Sequence, residues 1–313
     1  MLNFIIKRLL TSILVIIGVT IVIFSLVHMA PGDPIQIMAG LDAKEEDIEA
    51  LRVKMGMDKP YIVQYFNYVK GLLHLDLGKS IITNKNISDE IFFRFRNTAE
   101  LAVAGMLISS VFGIIIGIIA AVNRDRWLDK TLMSLSITGI SMPSFLLALL
   151  LMLLLVSQWH LLPASGREGS PFTAEGFKYI ILPALTLGIS GTASIARLTR
   201  SSVVAVLNEE FVMTLKAKGL RRKMILFKHI LRNASLPILT MIGLDFGYLL
   251  GGAVVTETIF AWPGIGKYAM DAISQNDFPA VQGSVLILSM MFMLINLVVD
   301  LLYGVLDPRV SLE

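Results

Sequence analysis

The stretch AELAVAGMLISSVFGIIIGIIAAV, residues 99–122, holds a single ionisable side chain, Glu100, at its start. As a helix it would rise about 36 Å, enough to cross a hydrocarbon layer of about 30 Å. Five further stretches have the same character: 9–27, 131–156, 179–196, 234–256 and 284–305. Inside a bilayer every backbone N–H and C=O must be satisfied within the protein, so such segments are read as helices. Six crossings are therefore expected, in an all-α integral membrane protein. Pro143, Pro183 and Pro237 fall in or at the ends of these spans, where neighbouring helices can satisfy the freed groups. The stretch 179–196 is the shortest and the richest in Gly, Ser and Thr.

The rest of the composition agrees. Of 313 residues, 55% are apolar and 16% charged, with mean hydropathy +0.73, whereas a soluble domain carries about 25% charge. Disorder and an ordinary cytosolic enzyme are excluded. The chain has no cysteine, which removes disulfides, thiolate metal sites and thiol nucleophiles. The apolar core of 9–27 is too long for a signal peptide, and no small-x-small site follows at His28-Met29-Ala30, so it reads as a membrane anchor.

Lys and Arg set the orientation. With the N-terminus inside, the inner segments hold fifteen of them: Lys7 and Arg8, then Arg124, Arg126 and Lys130, nine between 197 and 233, and Arg309. The short outer loops hold three, Arg167, Lys178 and Lys267. Both termini are thus expected in the cytoplasm. Trp127, Trp159 and Trp262 fit as interface anchors.

Two loops are long enough to carry a function. Segment 31–98, on the outside, has nine basic and ten acidic residues. Asp42 with Glu45 forms a capping box for a helix to about Met55. Residues 61–73 read as a second, amphipathic helix ending before Gly78. The segment is either a cap packed on the membrane domain or a docking surface for an outside partner. Segment 197–233, on the inside, has nine basic and two acidic residues, with helical patches at 202–217 and 221–231 on either side of Gly219. Its residues fit either a basic helix lying on anionic headgroups or a helix that docks a protein.

Ionisable residues within the spans are few: Asp245, Glu257 near the outer end of the fifth span, and Asp300 near the inner end of the sixth. A mid-span carboxylate is costly unless it faces a cavity or a partner, so Asp245 is a candidate for the translocation pathway or for a contact between subunits. The same span carries Gly243-x-x-x-Gly247-x-x-x-Gly251, and the second carries Gly113-x-x-x-Gly117. This spacing lets helices approach closely. There is no P-loop Gly-x-x-x-x-Gly-Lys-[Ser/Thr], no His pair at i, i+4 and no Gly-x-Ser-x-Gly elbow. The chain shows no energy source, cofactor site or metal site of its own.

Along nearly its whole length the chain resembles the inner-membrane permease subunits of the dipeptide and oligopeptide ABC importers, a group that includes nickel and glutathione importers. The likeness rests on Pro31-Gly32-Asp33-Pro34, Pro60, Gln64-Tyr65, Asp76-Leu77-Gly78-Lys79-Ser80, Arg96-Asn97-Thr98-Ala99-Glu100-Leu101 and Ser141-Met142-Pro143-Ser144-Phe145. It continues through Gly251-Gly252-Ala253-Val254-Val255-Thr256-Glu257-Thr258-Ile259-Phe260, Trp262-Pro263-Gly264-Ile265-Gly266 and Asp307-Pro308-Arg309. Its most specific part, Glu210 to Leu220, resembles the EAA loop, whose coupling helix sits in a groove of the ATPase subunit. The Glu-Ala-Ala positions are Met213, Thr214 and Leu215 here, so the literal motif is gone, while Ala217-Lys218-Gly219-Leu220 keeps the pattern.

The resemblance implies the type I ABC importer permease fold and a non-catalytic subunit of an ATP-driven importer in a bacterial or archaeal inner or plasma membrane. It implies peptide cargo, with nickel, a metal chelate or glutathione as alternatives on the same machinery; an ion-coupled secondary transporter is the rival of another class. The implied partners are a homologous second permease, two ATP-binding subunits that hold ATP and Mg, and an extracytoplasmic solute-binding protein, all around membrane lipid and without nucleic acid. The implied organisation is an N-terminal span (1–30), an extracytoplasmic segment (31–94), a permease core (95–305) with coupling loop 197–233, and a tail (306–313). Glu210, Phe211, Thr214, Ala217, Lys218, Gly219 and Leu220 would meet the ATPase. Asp245, Gly243, Gly247 and Gly251 would line the pathway or the contact with the second permease. Glu257, Trp262, Pro263 and Gly264 form either a turn capping the fifth span or an outer gate or binding-protein contact.

Overall fold

The computed structural model describes residues 2–29, 34–39, 44–54 and 56–306. The motif residues Pro31 to Asp33, Asp42 and 307–309 lie outside them, as does the side chain of Asp300. The described chain is helical, with one isolated antiparallel bridge, Lys79 to Asn86. In order, the helices are α1 (Leu2–Met29), α2 (Pro34–Ala39), α3 (Glu45–Lys54), α4 (Tyr61–Leu73), α5 (Ile87–Val122), α6 (Trp127–Ser141) and α7 (Ser144–Leu151). Next come α8 (Ala174–Leu207), α9 (Glu210–Ala217), α10 (Arg222–Met224), α11 (Leu231–Ile259), α12 (Ile265–Ser274) and α13 (Phe278–Leu306). π-helical turns extend α7 through Met152–Gln158 and join α10 to α11 through Ile225–Ile230.

Among the described residues five helices are long and apolar enough to span a membrane, and the pair α6–α7, bent by 106°, has the length and composition of a sixth span. The break has a local cause. Pro143 lacks an N–H and forces Met142 into an extended conformation (φ −82°, ψ 125°), which ends α6 and lets α7 start afresh.

The described residues form two compact units, one of 99–262 with 294–306 and the other of those within 2–98 together with 263–293. In the first, packing settles whether α6–α7 crosses. A Cβ at Gly105 would stand 3.1 Å from Leu187, at Gly113 2.7 Å from Ile195, and at Gly117 2.5 Å from Thr199. The offset is constant along the chain, so α5 and α8 run parallel in close contact. Asp129 and Gly139 of α6 meet Arg200 and Ile189 of α8, in reversed order, so α6 is antiparallel to α8. Beyond the bend, Ala148 packs with Leu182 and Phe260, near the start of α8 and the end of α11. Two parallel helices joined through a single intervening span require that span to cross once.

The helix with the weakest hydropathy turns out to be central. In its most apolar window 61% of residues are buried within the subunit, against 17% for α1. The Gly, Ser and Thr residues of α8 reflect protein on most sides rather than lipid. The second unit is tied by polar bonds at its turns. Asp277 accepts from Ser80 Oγ at 2.5 Å and from the Ile81 N–H at 3.2 Å. The Asn97 amide donates to the Pro263 carbonyl at 2.8 Å, and the Thr98 hydroxyl accepts from the Ile265 N–H at 2.9 Å.

Candidate functional site

The cytoplasmic loop is more helical, and divided differently, than its sequence suggests. The patch 202–217 is two elements. Its first part is the end of α8, and the break falls at Asn208 and the extended Glu209 (φ −70°, ψ 145°), which opens α9. The patch 221–231 is not separate, since it runs on through the π-helical turn into α11.

α9 is fastened on one side. Val212 is buried in a cluster with Ala121, Val203, Ile225, Ile230, Ala234 and Ile238, and Leu215 and Leu220 pack against it. At 100° per residue, Glu210, Met213, Thr214 and Ala217 share the opposite face, and all four are exposed. Phe211 sits at the edge of that face. Met213, 73% exposed, is its most prominent apolar member and was absent from the residues expected to act.

The helix ends on a Schellman turn. The Gly219 N–H bonds the Lys216 carbonyl at 3.0 Å, and the Leu220 N–H bonds the Leu215 carbonyl at 3.3 Å. Gly219 adopts φ +75°, with nothing within 4 Å of where a Cβ would lie. The glycine is required by backbone conformation, not by space. Lys218 is the exposed cap residue before it.

α8 carries α9, and it is gripped just above it from two sides. On one side Gly117 of α5 lies against Thr199. On the adjacent residue, Arg200 donates through Nε and Nη2 to the two carboxylate oxygens of Asp129, both at 2.6 Å. Asp129 is buried and also accepts the Asp125 N–H at 2.9 Å, in a turn where Asp125 has φ +65°. Neither residue of this bidentate pair was singled out from the sequence. The available signal was an acid at the foot of a span otherwise flanked by Arg124, Arg126 and Lys130.

The remaining candidates separate. Asp245 is buried between α11 and α8, its carboxylate directly over Gly191, and its Oδ2 has no hydrogen-bond partner. A side chain at position 191 would collide with it. Of the glycine triplet, Gly243 packs against Val299 of α13, Gly247 is buried, and Gly251 faces open space. Leu244, Tyr248, Gly251 and Val255 form an exposed face of α11.

Glu257 and Trp262 are fully buried, so neither side chain offers surface to another molecule in this arrangement. The Trp262 N–H bonds the Glu257 carbonyl at 2.8 Å, closing α11. Arg167 lies over the Trp262 ring (5.6 Å) and pairs with Glu100 at 2.8 Å. Pro263 accepts from Asn97, and the extended Gly264 precedes α12.

Long helices, a Pro-broken span and an exposed basic helical loop define a polytopic membrane protein. Comparison with known proteins makes this specific. Residues 113–312 match the family of binding-protein-dependent transport system inner membrane components, and residues 1–102 match the N-terminal model of the same component. The chain belongs to this family. It is 42% identical over 335 residues to the dipeptide transport system permease protein DppB of Escherichia coli K12, covering 99% of each chain. It is 42% identical over 310 residues to the glutathione transport system permease protein GsiC of Salmonella choleraesuis, again covering 99% of each. Among solved structures, it resembles a chain of the inward-facing MetNI methionine ABC transporter, with TM-score 0.54 and 14% identity over 69% of this chain and 96% of that one. A chain of an amino acid ABC transporter aligns with TM-score 0.51 and 15% identity, over 71% and 95%. The fold is thus the type I ABC importer permease fold. The protein is a multi-pass inner-membrane permease subunit that works within a larger transporter, where ATP hydrolysis belongs to other subunits.

Proposed function

We propose that this subunit forms half of the pathway of an ATP-driven importer of short peptides, with the exposed face of α9 seated on an ATP-binding partner. The observation that carries the proposal is α9 itself: one face anchored by Val212, the other open, on a short separate helix packed against residues of the membrane helices α8 and α11. Two states of the pathway must lie within a few kcal/mol of each other for alternating access to work. ATP-driven closure of the two partner ATPases, which would hold the ATP and Mg, moves α9. The Asp129–Arg200 pair passes that movement from α8 to the bent span α6–α7. This is a rigid element biased from outside the bilayer.

The exposed face Leu244, Tyr248, Gly251 and Val255 suits the homologous second permease, and an extracytoplasmic binding protein delivers the cargo. Dipeptide and glutathione permeases at equal identity favour a small cargo with a peptide backbone over bare nickel or a metal chelate. The test is import of a labelled dipeptide into vesicles holding the complete transporter. Import should stop when ATP is withdrawn with the proton gradient kept, and continue when the gradient is collapsed with ATP present. The reverse pattern would establish an ion-coupled carrier, and a binding protein that retains only nickel would displace the peptide.

A further inference from the structure

The helix α4 belongs to the segment between the first two spans, yet its contacts lie far down α1. The Tyr61 hydroxyl donates to Ser25 Oγ at 2.8 Å, Gln64 Oε1 meets His28 Nε2 at 3.0 Å, and the Tyr65 hydroxyl meets Thr20 Oγ1 at 3.0 Å. Phe24 is ringed by His28, Tyr61, Tyr65 and Tyr68. The apolar part of α1 runs from Leu10 to Met29. Thr20 is nine residues below Met29, roughly 13 Å along the helix axis. A tyrosine side chain spans only about half that depth. The body of α4 therefore stands beside a stretch of α1 whose other faces expose Ile17, Ile21, Val22 and Leu26.

Around α4 the side chains fall into three arcs. Tyr61, Gln64, Tyr65 and Tyr68 face α1. About a third of a turn away, Ile62, Phe66, Val69 and Leu73 form an uncharged stripe; Ile62, Phe66 and Leu73 are 67%, 65% and 80% exposed. The third arc holds the exposed Asn67 and Lys70, with Val63 between them. A helix facing only water and protein has no use for a second apolar face. One facing protein, acyl chain and headgroup needs all three, and its tyrosines are the side chains favoured at that boundary.

We propose that α4 is embedded in the outer leaflet, with Ile62, Phe66, Val69 and Leu73 against lipid acyl chains and with Asn67 and Lys70 at headgroup level. Because the contacts of α4 reach Thr20, well inside the apolar stretch Leu10–Met29 of α1, the occupant is lipid rather than a binding protein. Of the two readings open for segment 31–98, this assigns its central helix to the membrane. The assignment depends on the chain crossing the bilayer and not on the cargo or on α9.

The absence of cysteine allows a direct test in the full transporter in phosphatidylethanolamine and phosphatidylglycerol nanodiscs. Phe66→Cys, Leu73→Cys and Lys70→Cys are compared for labelling of this subunit by a membrane-impermeant maleimide. Labelling at Phe66→Cys and Leu73→Cys should be at least about tenfold slower than at Lys70→Cys. A bimane placed at either by a permeant reagent should be quenched by lipids carrying a nitroxide high on the acyl chain. Equal labelling at all three would put the stripe in water. Slow labelling without lipid quenching, or fast labelling that falls only when binding protein is added, would make it a protein contact. Each of these results overturns the proposal.

Discussion

At one end of the permease core α9 stops at Ala217, with the Gly219 N–H on Lys216 and the Leu220 N–H on Leu215. At the end of α11 the same bonds recur, from the Ala261 N–H to Thr258 at 3.3 Å and from the Trp262 N–H to Glu257 at 2.8 Å. Both turns need a residue at positive φ, Gly219 at +75° and Ala261 at +47°. The turn after α11 also lies beside an ion pair, since Arg167, which pairs with Glu100, sits over the Trp262 ring. The two differ in what they bury. After α11 the chain buries Trp262 completely, whereas α9 leaves Met213 nearly bare. One closure locks a helix end into the core, and the other holds a helix face out of it.

Removing Trp262 should do the most damage to the fold. Trp262→Ala empties a fully buried site, and about 3–5 kcal/mol of stability should be lost, read as a fall in the thermal unfolding midpoint of the detergent-solubilised complex. Arg200→Ala comes next. It strands the buried Asp129 carboxylate, at a cost of about 3 kcal/mol, the lower end for a pair whose arginine is partly exposed. The double change Asp129→Ala with Arg200→Ala should be less destabilised than Arg200→Ala alone, because no charge is left unpaired. If the double variant unfolds at a lower temperature than the single, the pair is not the joint described.

The two turns should answer opposite substitutions with opposite signs. Gly219→Val places a β-branched side chain in the left-handed region at a cost of about 1–2 kcal/mol, and import should fall while membrane insertion stays normal. Ala261→Gly removes that strain where the methyl group is exposed, and should be neutral or stabilising by about 1 kcal/mol. Import at the wild-type level with Gly219→Val would show that the turn does not set the position of α9.

Hydrophobic length alone made the spans readable, and the bounds of α4 could be read directly because its aromatic and apolar residues recur at helical spacing. The division of the cytoplasmic loop could not. Asn208 and Glu209 carry no Pro or Gly, and the break there depends on Val212 reaching the cluster around Ile225 and Ile230. The glycine triplet of α11 allowed a close contact within the subunit or across to another, and within the subunit Gly243 meets Val299 while nothing lies within 4 Å of a Cβ at Gly251. The close seam lies instead between Gly113-x-x-x-Gly117 and α8. Spacing identifies a face that can come close and does not say which helix comes. The Asp129–Arg200 pair spans 71 residues, beyond any local pattern. Asp245 stood out by depth alone, while its neighbour Gly191 becomes meaningful only once the helices are packed.

The most direct test of the docking face is cross-linking in the purified complex, using the cysteine-free chain as background. A single cysteine at Met213 or Ala217, treated with a short thiol-to-amine cross-linker, should join this subunit to the ATP-binding subunit in high yield. A cysteine at the buried Val212 should not. If Met213→Cys and Ala217→Cys give no such product and are reached only by lipid-borne or aqueous reagents, α9 is not the handle through which ATP moves this permease.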